Sequence, residues 1–288
     1  MDVHLVDGTY ELFRYHFAPN NKDLTRGATV GVVGTLLQLV ADGATHVAVA
    51  TDHVIESFRN DLWPGYKSSA GMPRELLGQF PVVEELMAAA GFVVWPQVEF
   101  EADDGLAAGA VMAAADDRVG QVIICTPDKD LGQCVGGKVV QMDRRKGVVF
   151  DAAGVEGKLG VPPPSIPDWL GLVGDSADGF PGLPGWGAKS AAAVLRRWGH
   201  LEHIPADPIT WDSGVRGASK LNAVLREQFE LALLFRRIAT VELDAPVSAG
   251  VDELRWTGPP DPDLFATMCE KLGSPALAGR TERLAAGR

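Results

Sequence analysis

Nine carboxylates stand in five short motifs of this 288-residue chain: Asp7 in LVDGT, Asp52 in VAVATD, Glu101, Asp103 and Asp104 in FEADD, Asp128 and Asp130 in PDKD, and Asp175 and Asp178 in GDSAD. FEADD poses the sharpest question, because it puts three acids into one turn at the start of an otherwise apolar run. The dipole and unpaired amides of a helix N-terminus accommodate one or two acids. Glu101 and Asp104 also share a face, and like charges at that spacing repel. A cation is the natural complement. No His or Cys lies within the five motifs, and all-oxygen ligation favours hard ions, Mg²⁺ or Mn²⁺, over zinc. Nine carboxylates exceed what one Mg²⁺ takes, since that ion keeps several waters, so two or more ions are expected. Paired ions roughly 4 Å apart serve in-line displacement at phosphorus. The crowding also predicts that Asp104→Asn stabilises the metal-free chain, because like charges raise carboxylate pKa values and cost folding energy. Taken singly, most of the motifs read better as a turn or a helix cap, and it is their joint placement at one rim that favours metal.

Two further stretches carry binding chemistry. GFPGLPGWGAKSAAAVL (179–195) sets Gly182, Gly185 and Gly187 ahead of Lys189 at a helix start. Open amides, a helix N-terminus and a lysine suit a phosphate. The spacing is not that of a Walker loop. SFRNDLWPGYKSSAGMPREL (57–76) interleaves Arg59, Lys67 and Arg74 with Phe58, Trp63 and Tyr66. Basic groups between aromatics suit single-stranded nucleic acid.

The elements around these residues follow from hydrophobic patterning. Short apolar runs at 3–7, 46–52, 92–97 and 121–128 read as strands, and 138–151 as a hairpin or edge pair. Runs at 29–43, 73–91 (interrupted by Pro81) and 102–117 read as helices. Strands alternating with helices predict an α/β fold, a mostly parallel sheet flanked by helices. Functional crevices of such sheets lie beyond the carboxyl ends of the strands. Asp7, Asp52 and Asp128 sit at such ends, and the FEADD turn follows the third strand closely. Past about residue 160 a Pro/Gly-rich passage gives way to a helical pattern up to about 245, read as a second subdomain. The tail from 274 is expected to be loosely held.

Bulk properties narrow the classes. Hydrophobic residues make up 46 % of the chain, and 38 acids against 26 bases give a net charge of −12. Such a balance argues against a generic nucleic-acid binder, unless the acids are concentrated where metal neutralises them. Cys125, Cys134 and Cys269 are too scattered for a disulfide frame or zinc cluster. With neither a signal peptide nor a membrane-length apolar run, a cytoplasmic, non-membrane protein is expected. Nothing in the sequence calls for an oligomer, so a monomer is expected.

LVDGTYELFR, TDHVIESFRNDLWPGYK, FEADD, TPDKDLGQCV and GLVGDSADGFPGLPGWGAKSAA occur in the order found in bacterial and phage 5′ nucleases. The chain resembles that family, the flap endonucleases and the 5′–3′ exonuclease domain of bacterial DNA polymerase I, from residue 1 to about 245. The resemblance implies a PIN-like metal-dependent nuclease core over 1–160, with a helical arch at about 54–82. It implies a helical subdomain over 161–288 with a helix–three-turn–helix DNA-binding element. By motif match, Asp7, Asp52, Glu101, Asp103 and Asp104 form one metal group, and Asp128, Asp130, Asp175 and Asp178 the other. Arg59 and Lys67 match the catalytic arch. Arg14, Arg74, Gly182, Gly185, Gly187 and Lys189 are expected to bind DNA, with K⁺ a further ion at the 182–189 loop. The implied substrates are DNA 5′ flaps, nicks and recessed ends, together with RNA-primed 5′ ends. One departure stands out: the family places Arg three residues after the lysine of YK, where this chain has Ala70. With no polymerase segment after the motifs, the sequence resembles a stand-alone nuclease. A junction-binding protein without turnover and a haloacid-dehalogenase-type phosphatase are the alternatives. The phosphatase needs Asp-x-Asp on the first strand, where this chain has Asp7-Gly8-Thr9.

Overall fold

In the computed structural model, which describes residues 1–211 and 214–287, the chain runs β1 (Asp2–Asp7), α1 (Gly8–His16), α2 (Gly27–Ala41), β2 (His46–Asp52), α3 (Arg59–Leu62), α4 (Arg74–Leu77), α5 (Gln79–Ala89), β3 (Val93–Gln97), α6 (Ala102–Ala114) and β4 (Gln121–Cys125). It continues with β5 (Val139–Asp143), β6 (Val148–Phe150), α7 (Ala152–Leu159), α8 (Ile166–Val173), α9 (Ala188–Trp198), α10 (Ala218–Glu227), α11 (Phe229–Ala239), α12 (Pro262–Lys271) and α13 (Ala276–Ala286).

Two compact units divide these elements. The first comprises 1–57, 69–126 and 242–288; the second comprises 58–68 and 127–241. In the first, four parallel strands lie in the order β3-β2-β1-β4. Every residue of β2 is buried, as expected of a central parallel strand covered on both faces. Val6 and Asp7 pair with Val49 and Ala50, and Asp52 pairs with Gln97, so Asp7 and Asp52 finish neighbouring strands at one edge. Small residues let α6 lie close to the sheet: a Cβ on Gly109 would stand 2.5 Å from the Trp95 ring. Leu36, Leu37, Leu86, Met87, Trp256 and Phe265 belong to the core of this unit.

The second unit pairs β5 with β6 antiparallel and otherwise consists of helices. Its core gathers Leu170, Leu172, Phe180, Leu195, Leu225 and Phe235. Trp63 stacks edge-on against Phe235 at 5.0 Å, so Trp63 and Tyr66 of the 58–68 segment are packing residues of this unit.

Three elements differ from the sequence reading. The segment after Asp7 is a helix, α1, started by the Asp7 side chain accepting the Tyr10 amide at 2.7 Å. The predicted helix over 73–91 is two, α4 and α5; Pro81 sits in the first turn of α5, where its missing N–H is tolerated. The tail is ordered as α13, where Leu277 and Thr281 are buried and Arg280 donates to the Gly34 carbonyl at 3.0 Å.

Candidate functional site

In the first unit, four of the expected acids are tied into the strand ends and the start of α6. Asp7 accepts the Tyr10 amide and the Thr126 hydroxyl, the latter at 2.9 Å. Asp52 accepts the Ala102 amide at 2.6 Å, and its own amide donates to Thr9 Oγ1 at 2.8 Å. Glu101 accepts from Ser57 Oγ at 2.6 Å and forms a reciprocal capping box with Asp104. Asp103 is half-buried on the same turn.

Asp104 departs from the ligand expectation. It is fully buried, with one oxygen taking the Glu101 amide at 2.9 Å and the other the Glu242 amide at 2.7 Å. It fastens the start of α6 to the chain at Glu242, both within this unit. Arg14 of α1 is held by buried Glu11, its Nε 2.9 Å from Oε2, with its guanidinium over the Tyr15 ring at 4.2 Å. Arg74 and Ala70 are both exposed.

In the second unit, ligand oxygens of Asp130, Asp175 and Asp178 come within 4.8 Å of one another. Local backbone chemistry sets this up. The Asp130 amide donates to Asp128 Oδ1 at 3.1 Å and starts a 3₁₀ turn over Asp130–Cys134. Gln133 anchors that turn, donating to the Asp130 carbonyl at 2.8 Å and the Ala239 carbonyl at 3.0 Å. Asp175 and Phe180 exchange two backbone hydrogen bonds, at 2.8 and 3.0 Å, closing the loop that carries Asp175 and Asp178. Asp128 is exposed at the rim.

Electrostatics mark this group out. Burial, and then the neighbouring charge of Asp128, push the Asp130 carboxyl up to about 8. Asp130 Oδ1 is buried without a hydrogen-bond partner. Burial opposes ionisation of Asp175 as well, but Lys129 and the Ala177 amide outweigh it and lower its pKa. Lys129 forms a close ion pair with Asp175 and stands 3.2 Å from Asp130 Oδ1. Lys67 Nζ is 3.3 Å from Asp178 Oδ1, and its amide donates to the Asp178 carbonyl at 2.9 Å. A buried carboxylate oxygen without a hydrogen bond, offset only by the Lys129 ion pair, in an all-oxygen, excess-acid set fits a hard divalent cation.

Arg59 is placed otherwise than expected. Its guanidinium is buried, donating to the Ile238 carbonyl at 2.7 Å and the Thr240 carbonyl at 3.0 Å. It thereby caps the C-terminus of α11 in place of facing a ligand. In the 182–189 loop, Gly182 has φ +67°, and a Cβ there would lie 2.4 Å from the Gly174 amide nitrogen, so its role is close packing against the end of α8. Gly185 has φ +83°, and Gly187 is the N-cap of α9 without a capping side chain. Lys189 is exposed in the first turn of α9.

Lys129 and Glu11 escaped the sequence reading. The signal for Lys129 was its place between Asp128 and Asp130. Glu11 had only its i,i+3 relation to Arg14.

The 5′-3′ exonuclease N-terminal resolvase-like domain matches residues 2–160, and the 5′-3′ exonuclease C-terminal SAM fold matches 161–262. DNA polymerase I of Bacillus caldotenax is 31 % identical over 96 % of this chain, and that of Mycobacterium leprae 33 % over 98 %. The chain spans 32 % and 31 % of those two relatives' lengths. Among solved structures, the phage T5 D15 protein co-crystallized with metal ions aligns with TM-score 0.67 at 21 % identity, over 95 % of this chain and 100 % of that one. The catalytic core of Rad2 in complex with DNA substrate aligns with TM-score 0.64 at 18 % identity, over 98 % and 90 %. These structures share the fold: a mostly parallel sheet flanked by helices, joined to a helical SAM-like part. The two matched domains together span most of the sequence, and the chain belongs to the 5′-3′ exonuclease family.

Proposed function

We propose that the chain is a structure-specific 5′ nuclease hydrolysing DNA phosphodiesters at 5′ flaps, nicks and recessed ends, with Mg²⁺ or Mn²⁺ as cofactor. The observation that carries this reading is the convergence of Asp130, Asp175 and Asp178, in which buried Asp130 Oδ1 has no hydrogen bond and only the Lys129 ion pair beside it. These three residues, with Asp128 at the rim, would hold divalent cation in the second unit. Asp7, Asp52, Glu101 and Asp103 would do so in the first, with Asp104 fixing the turn that presents them. When bound, such ions supply activation of water and charge stabilisation for in-line displacement at phosphorus.

The chain's own groups supply binding and placement. A lysine in the first turn of a helix faces the positive end of the dipole, which is unfavourable unless an anion joins it. Lys189, with the uncapped amides of α9, suits a duplex phosphate, and K⁺ is a candidate companion at the 182–189 loop. Lys67, on a segment held to Asp178, suits the phosphate at the 5′ strand. Arg14, pre-oriented by Glu11, and exposed Arg74 are further backbone contacts. RNA-primed 5′ ends fall within the same substrate chemistry, because backbone phosphates carry the contacts.

Support for the reading also comes from the relatives and neighbours, whose names specify DNA polymerase I and a complex with DNA substrate. The test is cleavage of an end-labelled 5′-flap duplex with Mg²⁺ or Mn²⁺. Cleavage should vanish in EDTA and in Asp175→Ala. Undiminished cleavage under either condition rejects the metal assignment, and no cleavage of flap, nicked or recessed DNA rejects the activity.

A further inference from the structure

Lys129 lies between two acids in sequence, and its side chain turns back into the carboxylate group. Its ammonium stands 3.2 Å from Asp130 Oδ1 and pairs more closely with Asp175 Oδ2. Both residues belong to the group whose ligand oxygens converge within 4.8 Å. The ammonium is therefore held as an ion-pair partner by two members of that group, Asp130 and Asp175.

We infer that Lys129 is the resident counter-ion of the Asp130–Asp175 pair, and that its ammonium leaves the pair when a divalent ion enters. Metal binding is then an ion exchange, and Lys129 sets its affinity. The inference rests on the metal reading above. Two arguments carry it. The carboxylates that Lys129 engages are two of the three a divalent ion would need, and two cations a few ångströms apart inside a half-buried group repel strongly. The stem of Lys129 is about one-third exposed (32 %), so the head can swing out to water without unpacking a core.

The role is distinct from ligation and from contact with substrate. In the metal-free chain Lys129 offsets repulsion among Asp128, Asp130, Asp175 and Asp178. In the metal-bound chain it becomes a released cation beside the group.

The test uses the whole chain without DNA and has two readouts. Mn²⁺ binding is measured by calorimetry for the parent, Lys129→Met and Asp175→Asn. Lys129→Met keeps the stem and removes the charge, so it should bind Mn²⁺ about fivefold more tightly, the effect of removing one competing ion pair. Asp175→Asn should bind more weakly than the parent. Separately, amine acetylation of the unaltered chain is followed by mass spectrometry with and without Mg²⁺. Lys129 should acetylate faster when Mg²⁺ is present, while exposed Lys22 keeps its rate.

Equal or weaker Mn²⁺ binding by Lys129→Met, in a parent that binds Mn²⁺, overturns the counter-ion role and leaves the metal reading standing. Unchanged acetylation of Lys129 overturns displacement even if the affinity rises, and it decides the matter if Lys129→Met does not fold. Absence of Mn²⁺ binding by the parent overturns both readings.

Discussion

Asp104 and Asp130 are both buried acids in acid-rich motifs, yet their surroundings drive them in opposite directions. Each Asp104 oxygen receives a backbone amide, so the negative charge is matched by donors and the side chain acts as a staple. The crowding argument from sequence predicts that Asp104→Asn stabilises the metal-free chain; the geometry reverses that sign. An asparagine keeps one acceptor and turns its NH₂ towards an amide, leaving a buried donor unmatched, a loss of about 1–3 kcal/mol. Urea unfolding of the metal-free variant should show a lower midpoint, and an unchanged or higher one would mean the like charges dominate after all. The crowding argument belongs to Asp130. Burial and Asp128 disfavour its charge beyond what Lys129 restores, and its Oδ1 lacks a hydrogen-bond partner. Asp130→Asn should therefore raise the metal-free melting temperature while cutting flap cleavage by orders of magnitude. A lower melting temperature would place Asp130 among the structural acids. The sequence displays the nine acids plainly, but it cannot show which oxygens the backbone has already taken. That distinction depends on amides as remote as Glu242, and likewise Arg59 reads as a phosphate contact until its carbonyl partners at 238 and 240 are known.

At the scale of elements, the strands are legible because buried parallel strands are short, apolar and bounded, and β1, β2, β3 and β4 fall where the runs place them. α1 is not, because TYELFRYH has no long apolar stripe and depends on the Asp7 cap. The ordered tail is missed for a related reason: Leu277 and Thr281 are buried only because the core of the first unit is there to receive them. Two predictions concern helix ends. In α9, Lys189→Ala should weaken duplex binding equally for unrelated sequences and reduce the salt slope by about one phosphate contact. Parallel slopes for parent and variant would remove Lys189 from the interface. In α11, Arg236 joins Asp168 of α8 at 2.9 Å and Glu202 at 2.6 Å. Glu202 is thereby held down to about 2, chiefly by its hydrogen bond from Arg236. A carboxyl depressed on folding contributes stability that is fully present above its unfolded pKa of 4.5 and lost as pH falls towards about 2. Because Glu202 is half exposed, screening limits the contribution to about 1 kcal/mol or less. Glu202→Gln should flatten the fall in stability between those pH values while costing little at neutrality. An acid limb as steep as the parent's would assign that loss to other carboxylates.

For the whole molecule, the proposed function asks how a chain of net charge −12 would engage a polyanion. Screening confines the influence of distant acids to about 10 Å at ordinary ionic strength, so binding is decided by what lies near the phosphates. On that proposal, the acids that matter most are those gathered in the two carboxylate groups, where they would repel an approaching strand. Lys129 and Lys67 offset part of that charge in the second unit, each engaging the carboxylates there. A divalent ion would offset more of it than an ammonium does. DNA affinity should therefore rise when a divalent ion that does not support turnover is added. With Ca²⁺ in the role of such an ion, the parent should bind a 5′-flap duplex more tightly than in EDTA at equal ionic strength. The double variant Asp130→Asn, Asp175→Asn should bind the duplex in EDTA at least as well as the parent does, because two repelling charges are gone. Its gain on adding Ca²⁺ should be much smaller. Fluorescence anisotropy on an uncleaved duplex reads both effects. An equal Ca²⁺ gain in parent and double variant would move the effect away from Asp130 and Asp175. If the parent shows no gain at all, the acid groups do not limit DNA approach, and the basic residues outside them carry the binding unaided.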